Sequence, residues 1–433
     1  MAMELTPAQQ ALLDGSRGPA MAKVVRTLVM YGECFGARRM VEVTGARGHL
    51  VTSFGLSMLK PVYDLMDELV AGGAVSGQEF SADPRPLDPA VPANPLQRLV
   101  FKVMYSKQAD YEAQLGAMGL MGGDAFTCTC YMPEVGNRPG RGDVLSWAES
   151  SAVVFANSVL GARCNRNSGI IEMFGSIAGF VPEFGLLTDE GRRATWVVEV
   201  ACEHRPEPQV LGSAIGMRVM EEVPYIKGLG RWLGDSLDGS AEDYLKDMGA
   251  AAASNGAVGL YHVDGLTPEA VELGESGLVA PGAKVYRIDD AELERVRSGY
   301  PVMWKRPADK PKLCFIGCPH LSSAQLADWS DRIVEGLAAA GKRRVQVPTV
   351  LTAAPAVARS FEGTAAAERL AATGAVVSSI CPLMYTNNPL CGRMPMATNS
   401  NKLRTYSTAR YYTDDEVLAL VTRGHADERG GDR

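Results

Sequence analysis

Between residues 313 and 382 short apolar runs alternate with stretches of helical period, and this alternation restricts the fold more than any other feature of the chain. Leu313 to Ile316 is an apolar run stopped by Gly317. Ser322 or Ser323 then caps a helix with Leu326, Ile333 and Leu337 on one face, ending at Gly341. A second run, 344-RVQVPTVL-351, precedes the Ala-rich helix or helical hairpin 355-PAVARSFEGTAAAERLAATG-374, and a third run follows at 375-AVVSSICP-382. Strands separated by helices form βαβ units with parallel strands, so the fold class is α/β with mainly parallel sheets. The stretch 257-AVGLYHVDGLTPEAVEL-273 repeats the pattern further upstream. At 433 residues the chain exceeds one ordinary core. The proline-rich stretch 81–95 reads as an ordered loop or a boundary, and a second break falls at 299–312. Three α/β regions are expected, at 1–115, 116–300 and 301–433.

Open parallel sheets bind ligands beyond the carboxyl ends of their strands. Cys318 and Cys381 each lie just past such an end, and each precedes a proline. A third case is 124-DAFTCTCYMPEVGN-137, strand-like through Thr127 and Cys128 and broken at Pro133 and Gly136. Three thiols at strand ends can converge. The 9 cysteines are odd in number and widely spread, with no secretory segment ahead of them, which argues for buried thiols, catalytic groups or metal ligands over a disulfide framework. Taken singly, each reads first as a small buried hydrophobe, the common fate of a free cysteine. Taken together, three thiolates near a histidine and several Asn and Arg side chains suit an iron–sulfur cluster that keeps one iron free for substrate. Zinc is the weaker alternative, because no close C-x-x-C pair is present.

Other residues add polar chemistry. In 143-DVLSWAESSAVVFANSVLGARCNRNSG-169, Asp143 is expected to cap a helix rich in small residues that ends near Gly161, and Cys164 to Asn167 form a polar turn. Glu149 lies on the apolar face of that helix, where an unpaired carboxylate costs free energy. His320 reads either as a proton carrier or as an oriented supporting group. Arg138, Arg141 and Arg166 are candidates for clamping a carboxylate. A net charge of -7 with scattered Lys and Arg argues against a nucleic-acid footprint, and no segment approaches the roughly 20 apolar residues that span a bilayer. The start, MAMELTPAQQALLDG, has no signal-peptide pattern, and Thr6, Pro7 and Gln9 read as a helix cap, so a cytoplasmic location is expected.

Several longer pieces in one order carry a resemblance: 127-TCTCYMPEVGNRPGRGDVLSWAESSAVVFANSVLGARCNR-166, 183-EFG-185, 316-IGCPHLS-322, 380-ICP-382 and 399-NSNK-402, with 32-GECFGARRMVEVTGARGHLVTSFG-55 fitting more loosely. With these the chain resembles the catalytic large subunit of aconitase X, a branch of the aconitase superfamily of iron–sulfur hydro-lyases. The resemblance implies a dehydratase without net redox chemistry, whose cluster, [4Fe-4S] or [2Fe-2S], is held by Cys128, Cys318 and Cys381. It also implies that Glu149, Ser150, His320 and Lys402 serve catalysis, and that Asn137, Arg138, Asn165 and Arg166 hold the substrate. Two positions depart from the family pattern: Cys130 stands where proline is usual and Cys164 where threonine is usual, which makes Cys164 the alternative ligand to Cys128.

Members of the family dehydrate a small hydroxy acid, either cis-3-hydroxy-L-proline, giving Δ1-pyrroline-2-carboxylate, or 5-phosphomevalonate. The first is favoured because the chain shows no P-loop or basic cluster for a phosphate. The family also pairs this region with a small swivelling domain. The polar tail 421-VTRGHADERGGDR-433 leaves no room for it, so a separate small subunit is expected to complete the site and supply a serine for proton transfer. The reading from another class is a non-catalytic or redox-sensing subunit that keeps the fold.

Overall fold

The computed structural model describes residues 3–426; the end of the polar tail, 427–433, lies outside the described residues. All five strands of the C-terminal sheet are parallel, in the order Val376–Ser378, Thr349–Ala353, Leu313–Leu321, Met396–Thr398 and Arg410–Tyr411. A second parallel sheet places His262–Val263, Pro224–Lys227, Ala194–Val200 and Val279–Ile288 side by side. Near the N-terminus, Gly48–Leu50 pairs in parallel with Phe80–Ala82, while Met40–Glu42 pairs antiparallel with Phe180–Pro182. The α/β class with mainly parallel sheets is therefore correct.

Local chemistry explains most of the helices. Thr6 closes a capping box with Gln9 over the helix Pro7–Leu13, and Ser322 closes one with Gln325 over Ser323–Ala339. Pro355–Phe361 and Ala365–Ala372 form the helical pair expected between the second and third runs, with Thr364 capping the latter. Helices Pro208–Val219 and Gly239–Gly256 lie in close contact because glycine faces backbone. A methyl group on Gly212 would run into the carbonyl of Met248, and one on Gly216 into that of Ala252. The helix Ser150–Ser158 runs through the main core, with every residue from Ser151 to Ser158 buried.

Four local expectations differ from the structure. Residues 124–128 form no strand. Phe126 makes a single bridge to Ala82, and the Thr127 hydroxyl then accepts the amide of Thr129 and turns the chain. Asp143 does not start the buried helix. Its carboxylate accepts the amide of Gly140, the stretch after it pairs with the segment around Arg163, and Glu149 becomes the cap. The second run begins pairing only at Thr349, after Pro348, because Val345 and Gln346 donate instead to Thr373 and Val421. The first run extends to Leu321, but its regular ladder stops at Ile316 and resumes at Leu321. Gly317 makes that interruption, with φ 96° and the Thr352 carbonyl 2.8 Å from where a Cβ would lie.

Gly212→Leu is expected to destabilise the protein by about 3 kcal/mol through overpacking, whereas Gly239→Ala, with open space around it, stays within about 0.5 kcal/mol; urea unfolding of both variants reads the contrast.

Candidate active site

Beyond the carboxyl end of the C-terminal sheet lies a cavity of about 250 Å³. Cys128 reaches it from the turn after Phe126, Cys318 from the interrupted strand, and Cys381 from the cap position of the short helix Pro382–Thr386. Burial pushes all three thiols up: Cys128 well above its ordinary value, Cys318 to about 11 and Cys381 to about 12. Among the described residues no group of three His, Cys, Asp or Glu side chains is placed to surround a single metal ion.

In the same cavity, Lys402 and Glu149 form a buried ion pair with side chains 10% and 5% exposed. Glu149 also accepts the Ser151 hydroxyl at 2.7 Å and the Ala152 amide at 2.6 Å, so it caps its helix and receives the ammonium at once. Lys402 donates in addition to the Ser151 oxygen at 3.1 Å. Burial opposes both charges. Attraction to Lys402 and the hydrogen bonds outweigh it for Glu149, whose carboxyl is held below the usual range, and attraction to Glu149 keeps Lys402 raised. The NSNK segment sets the lysine in place. Ser400 caps the helix Asn401–Tyr406 and donates to the carbonyl of Cys318, while Asn401 accepts no slack by bonding Gln209 through both its amide and its side chain.

Ser150 and His320 line the same cavity. The residues expected to hold the substrate do not. Asn137 is buried and donates to the Gly48 carbonyl at 2.7 Å and the Ser81 hydroxyl at 2.9 Å. Arg138 makes a two-pronged pair with Glu242. Asn165 clamps the EFG segment, accepting from Leu186 and donating to Phe184. Arg166 lays its stem over Gly259. Cys164 is buried against the backbone of Trp147, and Cys130 is buried as well; neither lines the cavity.

Sequence reasoning missed Asp83, on the cavity wall just past the strand Phe80–Ala82. His49 stands behind it, Nε2 3.3 Å from Oδ1, with Nδ1 2.9 Å from the Ser81 hydroxyl. Burial raises Asp83 and would lower His49. The Cys130 sulfur and the Asp83 carboxylate reverse the latter and lift His49 well above its ordinary value. The strand-end rule that singled out the cysteines could have found Asp83 too, had the short strand been recognised. Phe54, also on the wall, holds a left-handed backbone with φ 53°, an unusual conformation for a bulky residue and one that recurs at functional sites.

Removing one partner of the ion pair strands the other charge: Lys402→Met is expected to cost about 3–5 kcal/mol, and adding Glu149→Gln to recover part of it, in a double-mutant cycle read by urea unfolding. Because Glu149 lies below its ordinary value in the folded protein, its contribution is present above the usual carboxyl range and lost as pH falls through that lower value. The double variant is expected to lack this acid limb.

Comparison with known proteins places the whole chain in a family. Residues 2–190 match the aconitase X first domain and residues 194–298 the aconitase X second domain. The phosphomevalonate dehydratase large subunit of Thermococcus kodakarensis is 30% identical over 412 residues, 93% of this chain and 95% of that protein. The cis-3-hydroxy-L-proline dehydratase of Pseudomonas aeruginosa is 28% identical over 416 residues, 92% of this chain and 65% of that protein. The crystal structure of Thermococcus kodakaraensis aconitase X in its holo-form superposes with a TM-score of 0.78 at 28% identity, covering 97% of this chain and 99% of that one. The chain belongs to the aconitase X family, and the relatives it matches are dehydratases.

Proposed function

We propose that this chain is the large subunit of an iron–sulfur hydro-lyase that, with a small swivelling subunit, dehydrates cis-3-hydroxy-L-proline to Δ1-pyrroline-2-carboxylate. The carrying observation is one cavity lined by Cys128, Cys318 and Cys381 with the Lys402–Glu149 pair beside them. The donor set fits a cluster. Thiols with raised values lose their protons to a cationic iron centre, and soft thiolates are the ligands such a cluster takes. When bound, a cluster with one open iron supplies a Lewis acid for the departing C3 hydroxyl.

The chain's own residues hold the substrate. Val51, Phe54 and Leu383 offer an apolar wall for a five-membered ring. Lys402, kept charged by Glu149, faces the substrate carboxylate, and Asp83 receives the ring ammonium. Ser150 adds a hydroxyl at the first turn of its helix. The C2 proton passes to the small subunit, which closes the cavity over Tyr406, 46% exposed at its rim. The "large subunit" names of the relatives support such a partner.

Charge favours this substrate. The one ammonium in the lining is already paired with Glu149, and Asp83 has His49 behind it, so these two wall pairs are balanced and suit a zwitterion better than a phosphate with a second carboxylate. The second reading, 5-phosphomevalonate, draws on the end-to-end match with the Thermococcus large subunit, against 65% of the Pseudomonas hydroxyproline enzyme.

The test is to co-express the chain with its small subunit and purify the complex without oxygen. A brown complex that converts cis-3-hydroxy-L-proline, with kcat/KM lowered roughly 100-fold by Asp83→Asn, is the expected outcome. Turnover of 5-phosphomevalonate alone moves the assignment to the second reading, and a colourless complex inert to both points to a non-catalytic subunit.

A further inference from the structure

Three segments far apart in sequence carry the cavity thiols, and one side chain touches all three. His320 lies two residues beyond Cys318. Its ring Nδ1 is 3.1 Å from the hydroxyl of Thr127, the neighbour of Cys128, and its Nε2 is 3.1 Å from the carbonyl of Ile380, the neighbour of Cys381. Its backbone amide points at the Cys128 sulfur at 3.5 Å. A carbonyl oxygen can only accept, so Nε2 carries the hydrogen, and Nδ1 therefore accepts from Thr127. The Thr127 oxygen in turn accepts the Thr129 amide at 3.0 Å, which fixes the turn that presents Cys128. From behind, the fully buried Lys246 donates to the His320 carbonyl at 3.2 Å.

We propose that His320 is a positioning residue: it staples the Cys128 and Cys381 segments to the Cys318 segment and so sets the spacing of the three thiols. Both ring nitrogens are engaged by protein groups in one tautomer, which leaves neither free to exchange a proton with a substrate. The inference rests on the reading that these thiols act together, and goes beyond it by naming what brings them together.

The test uses the full chain with its small subunit, first stripped of metal and reduced. Dibromobimane, whose two arms join thiols farther apart than one bridging atom can span, is added, and mass spectrometry of the digested protein identifies the bridged cysteines. The parent is expected to show bridging among Cys128, Cys318 and Cys381. The yield is expected to fall roughly tenfold in His320→Ala and less in Thr127→Val, as expected for loss of buried hydrogen bonds. His320→Gln, which can still donate to the Ile380 carbonyl, is expected to recover part of it. Far-UV circular dichroism checks that each variant folds, and Thr127→Val, which loses one hydroxyl, keeps the test open if His320→Ala does not.

After iron and sulfide are restored, the lifetime of the visible absorption in air is expected to shorten in the same order. Equal bridging in parent and variants, or no bridging in the parent, overturns the proposal. A protein that bridges as expected yet takes up no iron leaves the staple standing and removes the cluster reading. A His320→Ala variant with normal bridging and normal cluster lifetime but no turnover makes His320 a proton carrier instead.

Discussion

Two opposite charges withdrawn from water hold the site in its shape. Lys402 and Glu149 come from residues 253 apart in sequence, and each would be costly to bury alone. Together, with Ser151 and the Ala152 amide completing their hydrogen bonds, they join the central buried helix to the helix that follows the fourth strand of the C-terminal sheet. The same carboxylate that caps one helix therefore anchors the other. The cavity wall between the two inherits that geometry, and the thiols share the cavity with a neutralised pair.

Around that pair the parallel sheets do what their topology dictates, sending the chain into loops at one edge. Cys318 and Cys381 emerge at that edge of the C-terminal sheet, where Gly317 breaks the ladder and Pro382 starts a new helix. Asp83 emerges from an equivalent edge of the small parallel pair near the N-terminus, with Pro84 behind it. The site thus draws on two separate sheets, and an apolar cluster in which Val91, Phe101 and Tyr105 pack with Phe315, Ile380 and Tyr385 lies beside the C-terminal one.

What could be read from the sequence follows from how local each signal is. Capping boxes at Thr6 and Ser322 and the βαβ rhythm after residue 313 depend on neighbours within a few positions, and the structure shows them where the residues place them. Glu149 stood out because a carboxylate in an apolar helix needs a partner, but the partner could not be named from periodicity. Asn137, Arg138 and Asn165 carry polar groups in the right motifs, yet they spend them on Gly48, Glu242 and Phe184, contacts between remote segments that no spacing rule encodes. His49 and Asp83 stayed hidden for the same reason. Their strands are three residues long, too short to show a period, and they become strands only by pairing with each other.

The distribution of the cavity's walls along the chain has a consequence for biosynthesis. Its groups begin at Val51 and end at Tyr406. A ribosome that has released only the first two-thirds of the protein has delivered Cys128 and Glu149 but not the lysine that neutralises the carboxylate or the other two sulfurs. Until the last segment emerges, Glu149 remains in water and the unfinished edge has nothing to enclose. Loading of any guest in this cavity therefore has to wait for the final stretch of the chain.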